Sequence, residues 1–312
     1  MLRVGTVALT AILLVLTLIL FQPISLEGDL GLCLPSPNQW HIPRFLSWLM
    51  GVVLILLAVL VLSSANKKYN FIPEAEPLMV MGLLVLVACN CRTTALLSAS
   101  TLMLAANAFA LYIILSTYEQ RNATREYFLV ATIPAIGAMT QYSFLILIPV
   151  YIFAGLLMKS FRMREFIAFI FGLLAPYWIA IGLGWISPFA FRVPDPDSMF
   201  SVQEMSRETF LNVIATGIII LVGIMLSLYN AARLFSRNSR LRSMHVSLNL
   251  MGYGAIAAVI FDFNNFMAYF ATLCLWLAIQ VAALMSFYEI RKPRVALILI
   301  AVVFLPIYIL SV

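Results

Sequence analysis

The sequence predicts an all-α, polytopic transmembrane helical bundle of about eleven helices, with the N-terminus inside and the C-terminus outside. Three observations predict it. Of the 312 residues, 63% are hydrophobic and only 10% are charged, whereas soluble domains average about 25% charged residues. Apolar runs of bilayer-spanning character recur along the whole chain. The basic residues concentrate in the breaks between alternate runs, as Lys and Arg do on the cytoplasmic side of membrane proteins.

The apolar runs leave no separate soluble domain, so residues 1–312 are predicted to form a single integral membrane domain. The first run follows Arg3 and is longer than the apolar core of about 7–15 residues in a secretory signal. No small-residue cleavage pattern follows it, so we expect a retained first helix. The predicted spans are 4–21, 45–65, 77–91, 93–117, 127–140, 144–158, 165–185, 209–230, 246–261, 266–288 and 295–311.

Charge placement tests this set of spans. With the N-terminus inside, most of the basic residues fall in inner segments, where Lys and Arg resist translocation. The inner set is Arg3, Lys67, Lys68, Arg121, Arg125, Lys159, Arg162, Arg164, Arg233, Arg237, Arg240, Arg242, Arg291, Lys292 and Arg294. The outer segments hold only Arg44, Arg92, Arg192 and Arg207. The basic inner loop 231–245 and its counterparts therefore explain the net charge of +6 without a nucleic-acid partner.

Residues 127–158 are too long for one helix across the bilayer. At 1.5 Å per residue they would form a helix of about 48 Å, whereas the hydrocarbon layer is about 30 Å thick. A single span would also put the basic residues before it and after it on opposite sides of the membrane. The polar segment 140–143 therefore predicts two short helices that meet at an outer turn.

Two other short spans also end in polar outer turns, at 90–94 and 262–265. A backbone turn below the headgroups survives only where it is buried in protein or lines water. The sequence therefore predicts an outward-facing recess that is floored by these three turns. The outer loops 22–44 and 186–208 are expected to cover it.

Polar residues around the predicted recess form the candidate site. Glu27 and Asp29 are either a carboxylate pair that acts as general base or metal ligand, or a solvated acidic loop tip. Arg92 either binds a substrate or lipid phosphate through its planar guanidinium or extends to the membrane interface. Asp262 is expected to pair with Arg92 or to serve the same site. Gln141 adds a polar group at membrane depth.

Polar groups inside the spans predict interhelical hydrogen bonds rather than catalysis. Asn107 and Gln280 are the examples, and apart from them the inner half of the membrane region is expected to be apolar. His41 has no accompanying nucleophile or metal-ligand pattern. No metal site is predicted.

One stretch of the sequence resembles a known family. Within residues 137–179, Arg164-Glu165 is followed by an apolar run and by Gly172-Leu173-Leu174-Ala175-Pro176-Tyr177. This pattern resembles an uncharacterised multipass inner-membrane protein family of Bacteroidetes. The resemblance implies a bacterial inner-membrane location and no particular activity.

More loosely, the layout is similar to that of GT-C-class polyprenyl-phosphate-sugar glycosyltransferases, whose first outer loop carries the catalytic acid. This similarity implies a catalytic role for Glu27 or Asp29 and a polyprenyl-linked substrate. The first outer loop is shorter here than in that class and leaves little room for its juxtamembrane helices.

Three functions stay open from the sequence. The first is a non-enzymatic membrane subunit or scaffold, with membrane lipids or another membrane protein as partners. The second is a GT-C-like transferase that acts on a lipid-linked substrate at the outer face. The third is a transporter or flippase. The cofactor is unknown, and a divalent metal is expected only for the transferase.

Overall fold

The computed structural model describes residues 2–21, 31–187, 189, 191–192, 207–234, 238–288 and 293–311, and this part of the chain is helical without any β-strand. Two short 3₁₀ turns, Pro37–Gln39 and Phe263–Asn265, accompany the α-helices. The α-helices are α1 (Leu2–Leu20), α2 (Arg44–Tyr69), α3 (Glu76–Ala88), α4 (Cys91–Thr94), α5 (Ala99–Ser116), α6 (Thr124–Thr140), α7 (Ser143–Ile146), α8 (Ile148–Leu157), α9 (Met163–Gly182), α10 (Arg207–Leu234), α11 (Ser239–Phe261), α12 (Phe266–Phe287) and α13 (Pro293–Ser311).

Every predicted apolar span coincides with a helix, or with the consecutive short helices α7 and α8 in the case of 144–158. The hydropathy pattern predicts the helices well because backbone groups in hydrocarbon must be paired within the segment. Among the described helices, six are long and apolar enough to cross a membrane: α2, α5, α9, α10, α11 and α12. Four further apolar helical stretches of the described chain are shorter than 18 residues: Gly5–Leu20, Glu76–Ala88, Ser143–Leu157 and Val295–Leu310.

The predicted break in 127–158 is confirmed. Helix α6 ends at Thr140, and α7 begins at Ser143. The hydroxyl of Tyr127, near the start of α6, lies 2.7 Å from the hydroxyl of Ser160, just after α8. The chain therefore runs out along α6 and returns along α7 and α8, so that its two ends lie together.

The cationic connectors of the described chain gather at one end of the bundle. Four contacts join them: Lys68 Nζ to Tyr112 Oη at 3.5 Å, Lys159 Nζ to Glu119 Oε1 at 3.2 Å, Tyr118 Oη to Ser239 Oγ at 3.3 Å, and His245 Nε2 to the Phe71 carbonyl oxygen at 2.7 Å. We call this end the cationic end. The hydrogen bond from Lys159 lowers the pKa of the exposed Glu119 carboxyl group.

The two terminal helices run in the same direction, away from this end. Arg44, the first residue of α2, donates a hydrogen bond to the carbonyl oxygen of Phe21 just after α1, and Thr6 lies 3.1 Å from the sulfur of Met81 in the middle of α3. Helix α1 therefore ends opposite the cationic end and begins toward it. The hydroxyl of Tyr308, late in α13, lies 3.1 Å from that of Thr17, late in α1. The last described helix therefore ends at the opposite end, where the polar turns also lie.

Helix α12 is the centre of the bundle, and 83% of the residues in its most apolar stretch are buried inside the protein. The indole ring of Trp276 fills the space beside two glycines, Gly223 of α10 and Gly252 of α11, where any Cβ atom would overlap the ring. By contrast, α9 exposes large apolar side chains such as Trp178, which is 81% accessible. Apolar faces of this kind are expected to lie in lipid.

Candidate functional site

The carboxyl group of Asp262 is the centre of a buried polar network. Its side chain is 0% exposed, although it is charged in water. Tyr142 and Ser143 donate hydrogen bonds from their hydroxyl groups, at 2.8 and 3.1 Å. The Asn265 amide donates at 2.7 Å, and the Tyr269 hydroxyl donates at 3.0 Å. Both carboxyl oxygens therefore have two protein donors each, which offsets the cost of burial.

This network is built by two chain reversals that meet at the end opposite the cationic end. Helix α11 stops at Phe261, and the 3₁₀ turn Phe263–Asn265 leads directly into α12. The other reversal is the extended residue Gln141 between α6 and α7. Asp262 therefore ties together two polar turns that are 120 residues apart in sequence, and its role in this geometry is structural.

Gln141 is covered by the two predicted outer loops. Its side chain is 4% exposed and lies 3.5 Å from the Ser36 hydroxyl group. The backbone of Leu34 donates a hydrogen bond to the Met139 carbonyl oxygen at 2.9 Å. The Arg192 amide donates to the Leu32 carbonyl oxygen at 2.8 Å, so the described parts of both loops meet over the end of α6.

The first polar turn, 90–94, is held by Asn90. Its side-chain oxygen caps α4 by accepting a hydrogen bond from the Thr93 amide at 2.9 Å, as N-cap residues do. Its side-chain nitrogen donates to Asn212 of α10 at 2.9 Å. Neither asparagine was predicted as a site residue, although an amide beside a break in an apolar run is the sequence signal for such a cap.

Arg92 follows this cap and is half-buried. The predicted ion pair between Arg92 and Asp262 is wrong, because both carboxyl oxygens of Asp262 already accept hydrogen bonds from uncharged donors. Within the described residues, ion pairs join only Lys67 to Glu76 and Lys159 to Glu119. The guanidinium of Arg92 therefore has no carboxylate partner in this part of the chain.

The other two candidates, Glu27 and Asp29, lie outside the described residues. Their convergence with Arg92 and Asp262 stays a prediction. Among the described residues, no group of three or more His, Cys, Asp or Glu side chains could hold a metal ion.

In the part of the chain that the structure describes, the three polar turns form a buried layer rather than an open recess. Asn90, Gln141 and Asp262 are each less than 5% exposed. A small cavity lined by Asn107, Tyr151 and Thr272 lies elsewhere, and it is too small for a water molecule. The sequence predicted turns that are buried or line water. The turns 140–143 and 262–265 are buried against each other, and the turn 90–94 is buried against Asn212 of α10.

The half of the bundle nearer the cationic end, which was expected to be apolar, is more polar than predicted. Gln280 of α12 donates to Asn249 of α11 at 2.7 Å, and Asn230 of α10 donates to Gln280 at 3.2 Å. Farther from the cationic end, Asn107 donates to Thr272 at 2.8 Å. The predicted interhelical role of Asn107 and Gln280 is thus confirmed. Asn230 and Asn249, which were not predicted, are hydrogen-bonding partners of Gln280.

Comparison of the chain with models of protein families, with curated proteins and with solved structures finds no match.

Proposed function

We propose that this protein is a non-enzymatic subunit or scaffold of a bacterial inner membrane, which it crosses with about eleven helices. The observation that carries the proposal is the closure of the Asp262 network by protein donors. Among the described residues, Tyr142, Ser143, Asn265 and Tyr269 supply the hydrogen bonds to its carboxyl oxygens. A carboxyl group held in this way stabilises one arrangement of helices and offers no oxygen to a substrate.

The orientation in the membrane belongs to the same proposal. The described cationic connectors share one end of the bundle, and Lys and Arg are retained on the cytoplasmic side. The cationic end therefore faces the cytoplasm, and the buried polar layer lies toward the outer face. The N-terminus is inside and the C-terminus is outside.

Partner capture with a triple variant tests the scaffold role. We expect the tagged full chain to copurify with one membrane protein at a fixed ratio. The variant Glu27→Ala/Asp29→Ala/Arg92→Ala is expected to retain that partner and to complement a deletion strain as the wild type does, because a scaffold does not use these side chains for chemistry. A variant that keeps its abundance and its partner but fails to complement contradicts the proposal and favours the transferase.

The transporter is the second candidate, because polar side chains continue along one face of α12. Tyr269, Thr272, Trp276 and Gln280 follow one another at spacings of three or four residues, which places them on the same side of a helix. Each makes a hydrogen bond to a neighbouring helix or turn. Solute flux across vesicles that contain only the purified chain would favour this candidate over the scaffold.

A further inference from the structure

Lys67 and Lys68 stand next to each other at the cationic end of α2 but have different surroundings. Lys67 lies 3.7 Å from the carboxylate of Glu76. Lys68 is exposed, and no carboxylate of the described residues lies within ion-pair distance of it. Both ammonium groups are charged, but only that of Lys68 has no counterion among the described residues.

Two aromatic rings hold the ammonium group of Lys68. Its Nζ atom lies 5.3 Å from the ring centre of Tyr69 and 5.3 Å from that of Tyr112. It also lies 3.5 Å from the Tyr112 hydroxyl group. Cation–π contacts at this distance restrict the position of the charge, and an ammonium group with three donors has capacity left for an anion.

An apolar stripe on α2 leads to this cation. Val53, Leu57 and Leu60 are exposed by 53%, 37% and 63%, respectively. With the exposed Ser64 and Lys68, they follow at spacings of three or four residues and so occupy one face. The distance along the helix from Leu57 to Lys68 is about 16 Å, close to half of the roughly 30 Å hydrocarbon layer.

We propose that Lys68, Tyr69 and Tyr112 form a binding site for an anionic phospholipid. The lipid phosphate accepts hydrogen bonds from the Lys68 ammonium and the Tyr112 hydroxyl, and an acyl chain lies along the α2 stripe. The chemistry favours a lipid over a soluble anion because the charge and the apolar face are continuous. This site is independent of the scaffold role proposed above, since it lies at the other end of the bundle from Asp262.

Native mass spectrometry of the full chain in neutral detergent tests the site, with phosphatidylglycerol and phosphatidylcholine as probes. We expect preferential binding of phosphatidylglycerol by the wild type and by Lys67→Gln, the matched control. Lys68→Gln is expected to bind it about fivefold more weakly, which corresponds to one cation near an anionic lipid. Tyr112→Phe, which keeps the ring and removes the hydroxyl group, is expected to lie between Lys68→Gln and the wild type.

Two results would overturn the proposal. One is equal phosphatidylglycerol affinity of Lys68→Gln and Lys67→Gln, which would leave only general attraction to a basic surface. The other is full displacement of the lipid by an equal concentration of inorganic phosphate, which would identify a soluble anion as the ligand. The thermal unfolding of Lys68→Gln without added lipid is expected to match that of the wild type, because the side chain is exposed.

Discussion

Replacing Asp262 with alanine is expected to lower the free energy of unfolding by about 3 kcal/mol, because the buried donors left without an acceptor each carry a desolvation cost. The donors affected are the hydroxyl groups of Tyr142, Ser143 and Tyr269 and the amide of Asn265. The measurement is unfolding of the purified chain in mixed micelles, followed by far-ultraviolet circular dichroism. Because two chain reversals meet at this residue, the transition should also become less cooperative.

Two variants control for the Asp262 experiment. Asp262→Asn retains one side-chain oxygen and is expected to lose about half as much stability. Glu119→Ala removes an exposed carboxylate that pairs with Lys159 at the cationic end, and we expect it to stay within about 0.5 kcal/mol of the wild type. If Asp262→Ala unfolds at the same point as Glu119→Ala, the network does not hold the turns together and its structural role is refuted.

Substitution of Gly252 by alanine is expected to be comparably severe. The new Cβ atom would overlap the junction of the two rings of Trp276, which has no room to move in the centre of the bundle. Overpacking of a close-packed core costs about 1–3 kcal/mol, and we expect the upper end of this range. The loss should be visible as a lower midpoint in the same unfolding assay.

The glycines of this region provide matched controls. Gly217→Ala on α10 meets no atom within 4 Å and is expected to be neutral or slightly stabilising, because alanine favours helix. In Gly223→Ala the overlap is with the outer edge of the indole ring, so the second change Trp276→Phe should restore part of the stability. The same second change should not rescue Gly252→Ala. Rescue of both, or of neither, would contradict the packing described for Trp276.

The helices could be predicted from the sequence because each depends on a local property, the length of an apolar run. The turn at Gln141 was also predictable, since one span would be too long and would separate its flanking cations. The partner of Asp262 was not predictable. Arg92 was expected because its charge is opposite to that of Asp262. The packing of α6, α11 and α12 instead places the hydroxyl groups of Tyr142 and Tyr269 at the carboxyl group. Helix packing of this kind leaves no periodic signal in a single sequence.

The polar contacts around Gln280 show the same limit. Asn230 and Asn249 lie at the edge of, or within, predicted spans, and each amide taken alone resembles an ordinary interruption of an apolar run. Only the arrangement of α10, α11 and α12 brings them to Gln280. The sequence could therefore predict that such amides are paired, but not with which partners.

Reporter fusions at the connectors test most directly whether the cationic end of this bundle faces a single side of the membrane. Fusions after Asn70 and after Asn238, with the chain truncated at each point, should both report the cytoplasm, and a fusion to the C-terminus should report the periplasm. Cytoplasmic signals at both connectors would agree with the contacts between Phe71 and His245 and between Tyr118 and Ser239. Signals from opposite sides at Asn70 and Asn238 would contradict the arrangement of helices on which every proposal above depends.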